Sequence, residues 1–570
     1  MRKLLATTLV MLAATAAQAC TNFIVGKKAS ADGSVICSYN ADDYGMFIGL
    51  CHYPAGFHAD GEMREVYDWD TKVYHGHIPE APVTYNVIGN INEWQVTIGE
   101  TTYGGREEMV DTTGILDYGS LIYITLQRAR SAREAIHIMA NLTETYGYNS
   151  EGETFTICDP EEAWIMEMMG TGGETKQMNR VVWVAMRVPD DAICGHANQS
   201  RIGLIAEKGK KLNPRGVYPV LPSNKKYASD QTTTVYYSRD VVRYARVKGW
   251  FTGNDDEFSW KQAYAEPDFG GRRYCDARVW AFFRHFADDF DRYLPWAMGI
   301  DPHAEDMPLW IRPNRKVSVR DVQACMRDHY EGTPLALDSA DIGGGIWQMP
   351  YRPTPLSFEV DGKKCFNERP TSTQQTGFTY VSQMRSWLPR QIGGVLWFGN
   401  DDGNMVAYTP IYCGNTIQPE CYNTPGADAL NFSDRNAYWV CNWVSNMVYP
   451  RYTQMFPSLA AVRDSLEDSY FDRQVEVEKK AVELYAHDEI SAVKYLNQYS
   501  NDQATRMLER WKQLAVYLIV KYNDMTVKPE ENGVFTRTAT GLGARVQRPG
   551  FPRPYARKLI ETTGDKYVQP

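Results

Sequence analysis

Ala17-Gln18-Ala19-Cys20-Thr21-Asn22-Phe23-Ile24-Val25-Gly26 is the stretch on which the reading of this chain turns. Upstream of it, Arg2 and Lys3 form a short basic segment and Leu4 to Ala16 is apolar or small. Ala17-Gln18-Ala19 has the A-x-A form of a leader-peptidase site, so residues 1–19 read as a signal peptide. Cleavage after Ala19 makes Cys20 the first residue, and a thiol and a free α-amine then share one residue. A nucleophile and a base held a few ångströms apart perform acyl transfer without a separate histidine. A second reading makes Cys20 the lipidated cysteine of a surface lipoprotein. Such signals usually carry Leu at −3 and a small residue at −2, where this chain has Ala17 and Gln18. A lipidated cysteine is also usually followed by a polar tether, whereas Thr21 to Gly26 runs directly into a β-like segment.

The 570 residues suffice for a large core. Hydrophobic content of 43% and charged content of 23% describe an ordinary globular chain. After the leader no run approaches the roughly 18 apolar residues of a membrane span. The net charge of −10, with no basic stripe, argues against nucleic-acid binding. Setting Cys20 aside leaves an even number of cysteines in a chain read as exported. Cys413, Cys421 and Cys441 are close enough in sequence to predict at least one disulfide, whereas Cys158 and Cys194 sit in apolar runs as buried thiols do. No C-x-x-C pair occurs, which argues against a thiolate zinc site, and no cofactor or metal is expected.

Asn22 to Gly26 and Val35 to Asn40 read as the strands of a hairpin, with Asp32-Gly33 as a two-residue turn. Gln95 to Glu100 is a further strand, with Val96 and Ile98 alternating against polar neighbours. Leu121 to Arg130 reads as a helix. Ser131-Ala132-Arg133-Glu134 fits a capping box, and the helix behind it places Ala135, Ile138, Met139 and Leu142 on one face. Strands resume at Thr154 to Cys158, Ala163 to Met168, Val181 to Arg187 and Ala192 to Ala197. Strands and helices cluster without strict alternation, which predicts an α+β fold of antiparallel sheets covered by helices. From Ser458 onward the spacing is helical, so 451–530 is assigned to a helical C-terminal region behind a catalytic domain over 20–450. Residues 531–570, rich in Arg and Pro, read as an extended tail.

Cys20 to Ser34, with its Thr-Asn-Phe-Ile-Val-Gly core and Asp32-Gly33-Ser34 end, resembles the opening of the cysteine dipeptidase family typified by bacterial dipeptidase A, a branch of the N-terminal nucleophile hydrolases. Asn92 to Glu100, Ala129 to Gly147, Asp159 to Glu167, Trp183 to Gly203 and Pro389 to Pro410 agree in order. The resemblance implies a four-layer αββα sandwich and hydrolysis of dipeptides through the terminal cysteine. The α-amine, with a pKa of about 7.7–8.0, takes the thiol proton. The sulfur forms a thioester acyl-enzyme, and water releases it.

The resemblance also selects site residues. Related acylases carry Arg-x-x-Asp on the second strand, and the matching stretch here is Tyr39-Asn40-Ala41-Asp42. Asp42 is kept, to orient the α-ammonium or bind the substrate's amine; Tyr39 replaces the arginine. A turn residue is the other reading of Asp42. Asn198 falls near the oxyanion-hole asparagine, a donor worth roughly 3–4 kcal/mol; a structural asparagine closing a strand is the alternative. Glu100 and Thr101 follow the pocket-lining strand and join Tyr39 as substrate-binding candidates. His196 reads as a hydrogen-bonded structural histidine because the amine already supplies a base. The chain has no G-x-S-x-G and no H-E-x-x-H. The expected protein is an exported, periplasmic or secreted cysteine dipeptidase. An amidase acting on N-acyl amino acids and a non-enzymatic lipoprotein binding glycans or peptides stay open, and a homo-oligomer is a possible assembly.

Overall fold

The computed structural model describes residues 20–172, 178–206, 233–338 and 342–570; the leader assigned to 1–19 lies outside them. Two antiparallel sheets face each other. The strands that build them are β1 (Asn22–Val25), β2 (Val35–Asp42), β3 (His52–Tyr53), β4 (Val87–Ile88), β5 (Ile91–Asn92), β6 (Thr97–Gly104), β7 (Gly152–Cys158), β8 (Ala163–Gly170), β9 (Val181–Val188), β10 (Ile193–His196), β11 (Val235–Tyr237), β12 (Trp310–Ile311), β13 (Thr376–Met384), β14 (Val395–Asn400) and β15 (Thr409–Tyr412). The first sheet has the order β12-β10-β1-β2-β13-β14-β15, the second β11-β9-β8-β7-β6-β5-β4-β3.

The central strands β1, β2, β7, β8 and β13 are buried along their whole length. A strand covered on both faces loses the in–out alternation of a half-solvated one. Its polar residues must then find partners inside, and several of them join the sheets. Thr97 meets Ser382 at 2.8 Å. His196 is held between Thr101 and Thr156, each at 2.7 Å. The Asn22 amide donates to the Glu100 carbonyl at 2.6 Å.

The helices that matter here are α1 (Tyr118–Leu126), α2 (Ala132–Tyr146), α3 (Ala277–Arg284), α4 (Val319–Cys325), α5 (Ala437–Val448), α6 (Tyr452–Tyr485), α7 (Glu489–Tyr522) and α8 (Arg553–Thr563). α1 and α2 lie on the outer side of the second sheet, where Ile136 and Met139 share a core with Trp164, Met166 and Trp183. Ser131 caps α2 by accepting from the Glu134 N–H. The Glu134 carboxylate, however, accepts from the Arg130 N–H rather than from Ser131, so half of the expected capping box forms. α3, α6 and α7 cover the first sheet. Phe23 stacks on Phe282 of α3 at 4.1 Å, and Trp397 of β14 stacks on Phe471 of α6 at 4.3 Å.

Three expectations change. The β1–β2 connection is not a two-residue turn: residues 26–34 form a longer loop, pinned by Lys28 and Ala29 N–H bonds to the Asp190 carbonyl at 2.7 and 3.0 Å. Its distant partner outweighs the local Asp-Gly preference. The helical region packs on the sheets, since α6 and α7 share the core of the first sheet. The ion pair of Glu478 with Arg385, just past β13, ties α6 to it, and Glu467 pairs with Arg327 in the loop after α4. The tail is not simply extended. It contains α8, with Pro554 in the first turn, where a missing N–H costs nothing, and no buried residue. Finally, all eleven cysteines are free thiols. Cys413 follows a strand and donates to the Arg390 carbonyl at 3.1 Å, Cys421 sits in a one-turn helix and Cys441 on α5. Their closeness in sequence therefore produces no bond. Among the described residues no helix is long and apolar enough to cross a membrane, and no group of three His, Cys, Asp or Glu could hold a metal ion.

Candidate active site

The site is assembled where β1 begins. Cys20 lies two residues ahead of Asn22, the start of β1, and is bound into the first sheet through its neighbour: Thr21 exchanges N–H···O bonds with Asn40 at 3.1 and 2.9 Å. This lays Cys20 beside the end of β2, against the second sheet. The Cys20 sulfur lies 3.5 Å from the Tyr39 hydroxyl and 3.4 Å from Oε1 of Glu100, and that same Oε1 accepts the Tyr39 hydroxyl. The thiol is buried, at 4% exposure. Burial, then the charges of Glu100 and Asp42, push it well above the ordinary thiol range; the Asp42 backbone N–H and the Tyr39 hydroxyl pull more weakly the other way. Below alkaline pH it is therefore a thiol, and attack requires a base.

Asp42, at the end of β2, is fully buried. Its Oδ2 accepts from Arg369 at 2.9 Å and its Oδ1 from Thr376 at 2.5 Å. Burial raises its pKa against the opposing pull of Arg369. Asn198 lies in the loop after β10 in a left-handed conformation (φ 56°), which asparagine tolerates better than most residues. Its Nδ2 donates to the Thr102 carbonyl at 2.7 Å. The structure thus brings Cys20, Tyr39 and Glu100 into contact and sets Asp42 and Asn198 around them. Thr101 belongs elsewhere. Neighbouring residues of a strand face opposite ways, and Thr101 points into the core to bond His196. His196 has both ring nitrogens occupied by threonines, and burial lowers its pKa to about 3. It is a neutral structural histidine.

Arg278, on α3, is the residue that sequence reasoning missed. It is buried, and its guanidinium donates to the Cys20 carbonyl and the Thr21 hydroxyl, both at 2.7 Å. It also donates to the Ala197 carbonyl at 3.2 Å and to Asn198 Oδ1 at 2.9 Å. One planar fork thereby fixes the Cys20 backbone and the Asn198 side chain. Arg278, together with Arg369, places cationic charge near Asp42. No local pattern marks it.

Glu167 supports the Asn198 loop from below. Its carboxyl accepts from the Arg201 and Ile202 N–H groups at 2.6 and 3.0 Å and meets the Ser200 hydroxyl at 2.5 Å. Burial raises its pKa to about 7.

A buried thiol flanked by a carboxylate, a phenol and an arginine fork suits nucleophilic acyl chemistry. A family model described as Peptidase family C69 matches residues 19–52 and 50–464, and the chain belongs to that family. It is similar to a probable dipeptidase of Salmonella dublin, 27% identical over 435 residues that cover 73% of this chain and 85% of that protein. A probable dipeptidase of Latilactobacillus sakei is 23% identical over 529 residues, 88% of this chain and 95% of that protein. Dipeptidase A of Lactobacillus helveticus is 24% identical over 438 residues, 72% of this chain and 79% of that protein.

Proposed function

We propose that this protein is an exported cysteine dipeptidase with the four-layer sandwich fold of the N-terminal nucleophile hydrolases. In this reading a leader peptidase removes residues 1–19, and Cys20 acts through its own α-amine. The amine takes the thiol proton, and the sulfur bonds to the scissile carbonyl carbon. The C–N bond then breaks, and the departing amine receives the proton. Water, deprotonated by the same amine, hydrolyses the thioester and restores the thiol. Asp42 orients the ammonium, Arg278 holds the Cys20 carbonyl, and Asn198 serves the oxyanion.

The observation that carries the reading is the setting of Cys20. It is a thiol built into the start of the first sheet, in contact with Glu100 and Tyr39. Membership of a peptidase family, with a match opening at residue 19, and the dipeptidase names of the relatives support it.

Two variants test it. Cys20→Ala, and a form carrying one extra residue ahead of Cys20, should both lose dipeptide hydrolysis to background. Turnover persisting in either would contradict the terminal nucleophile. A panel of dipeptides and N-acylated amides separates a dipeptidase from an amidase, since preference for the blocked amides rejects the first.

A further inference from the structure

Glu100 occupies a position that needs a cation. It is 2% exposed, and its hydrogen-bonding neighbours are Tyr39, Cys20 and Glu153, none of them basic. A carboxylate buried without a cation is expensive, and the surroundings add negative charge. Asp70, held by the Tyr118 hydroxyl at 2.9 Å, stands close enough to act on Glu100. Glu153, on the adjacent strand β7, bonds Thr102 at 3.0 Å. Burial and the charge of Glu100 push its pKa well above the carboxylate range. Burial raises the pKa of Glu100 as well; a cation beside it favours the ionised form, which places the charge against the sulfur.

The position of that charge restricts what it can serve. A sulfur poised for attack lies about 3–3.5 Å from the scissile carbonyl carbon. The nitrogen on the preceding α-carbon lies about 2.5 Å from the same carbon, given bonds of about 1.46 and 1.52 Å and an angle of about 111°. An amino group there falls within hydrogen-bond reach of a carboxylate oxygen 3.4 Å from the sulfur. A cation at the end of a side chain is displaced by several more bonds.

We propose that Glu100 binds the free α-ammonium of the residue that supplies the scissile carbonyl, and so confines the enzyme to substrates with an unblocked first residue. This rests on the reading of Cys20 as the nucleophile. Arg278 and Arg369 lie on the Asp42 and Asn198 side, so the groups around the sulfur divide into an acidic side for the ammonium and a basic side.

The test compares an alanyl dipeptide with its des-amino analogue, the propionyl amide of the same leaving residue, by kcat/KM. Wild type should favour the dipeptide by about 100-fold or more, and Glu100→Gln should reduce that ratio by about 30-fold or more, the loss expected when one partner of a buried charge pair is truncated. Glu100→Asp, which keeps the charge, should recover part of the ratio. Equal rates on both substrates in wild type, a comparison that needs no variant, would overturn the proposal and leave the nucleophile in place. An equal fall on both substrates in Glu100→Gln would also overturn it, by assigning Glu100 to the amine of Cys20 itself. Hydrolysis of neither substrate by wild type would instead reject the proposed function, and this inference with it.

Discussion

Cys20 is surrounded by groups that keep it protonated, and that makes its chemistry measurable. Glu100 raises the thiol pKa by its charge, so Glu100→Gln should lower it. Alkylation of Cys20 by iodoacetamide near pH 8 is then expected to run several-fold faster in the variant; an unchanged or slower rate would remove Glu100 from the electrostatics of the sulfur. If the α-amine is the base, kcat/KM rises with pH through about 7.7–8.0 and levels off above, because only the neutral amine accepts the proton. A profile flat across pH 6–9 would contradict this. Arg278→Lys keeps the charge but cannot reproduce four donor contacts in one plane. A fall in kcat/KM of roughly 100-fold, mostly in kcat, is expected, and near-normal kinetics would mean that the fork does not position the nucleophile.

At the scale of elements, the Asn198 loop depends on Glu167. Its folded pKa of about 7 lies above the ordinary value of 4.5 through burial. Below pH 4.5 folded and unfolded forms are both protonated, and the contribution to stability is complete. As pH rises towards 7 the unfolded form ionises first, so stability falls by roughly 3 kcal/mol and then levels off. In Glu167→Gln an amide oxygen still accepts the two N–H bonds, and this fall should vanish. Urea unfolding of both proteins at pH 5 and pH 7.5 measures it; equal pH dependence would contradict the assignment. Sequence conveyed the elements whose patterns are local. The strands from Asn22, Thr154, Ala163 and Val181 are near their expected places, and Ala135, Ile138, Met139 and Leu142 share the buried face of α2. It did not convey what depends on distant partners. The loop over 26–34 is set by Asp190, the cysteines by the elements that carry them, and the turning of Thr101 into the core by His196. Arg278 reaches Cys20 across a separation of 258 residues, and no periodicity encodes that.

At the scale of the molecule, the C-terminal helices are part of the body that holds the site. Arg385 and Glu478 form a bidentate pair at 2.7 and 2.6 Å, little exposed on either side. Glu478→Ala leaves a buried guanidinium without its partner, at a cost of about 3–5 kcal/mol. Activity and helical signal should then be lost together at a lower denaturant concentration. Two separate transitions would instead show the helices folding as their own unit. The central claim, that a thiol and the amine beside it form the catalytic pair, is tested most directly by the mass of the working enzyme. Active protein purified after export and titrated with a thiol alkylator should begin at Cys20 with a free amine, and its activity should disappear in proportion to a single adduct on that residue. Fully active material that starts at another residue, or carries a blocked amine on Cys20, would contradict the account.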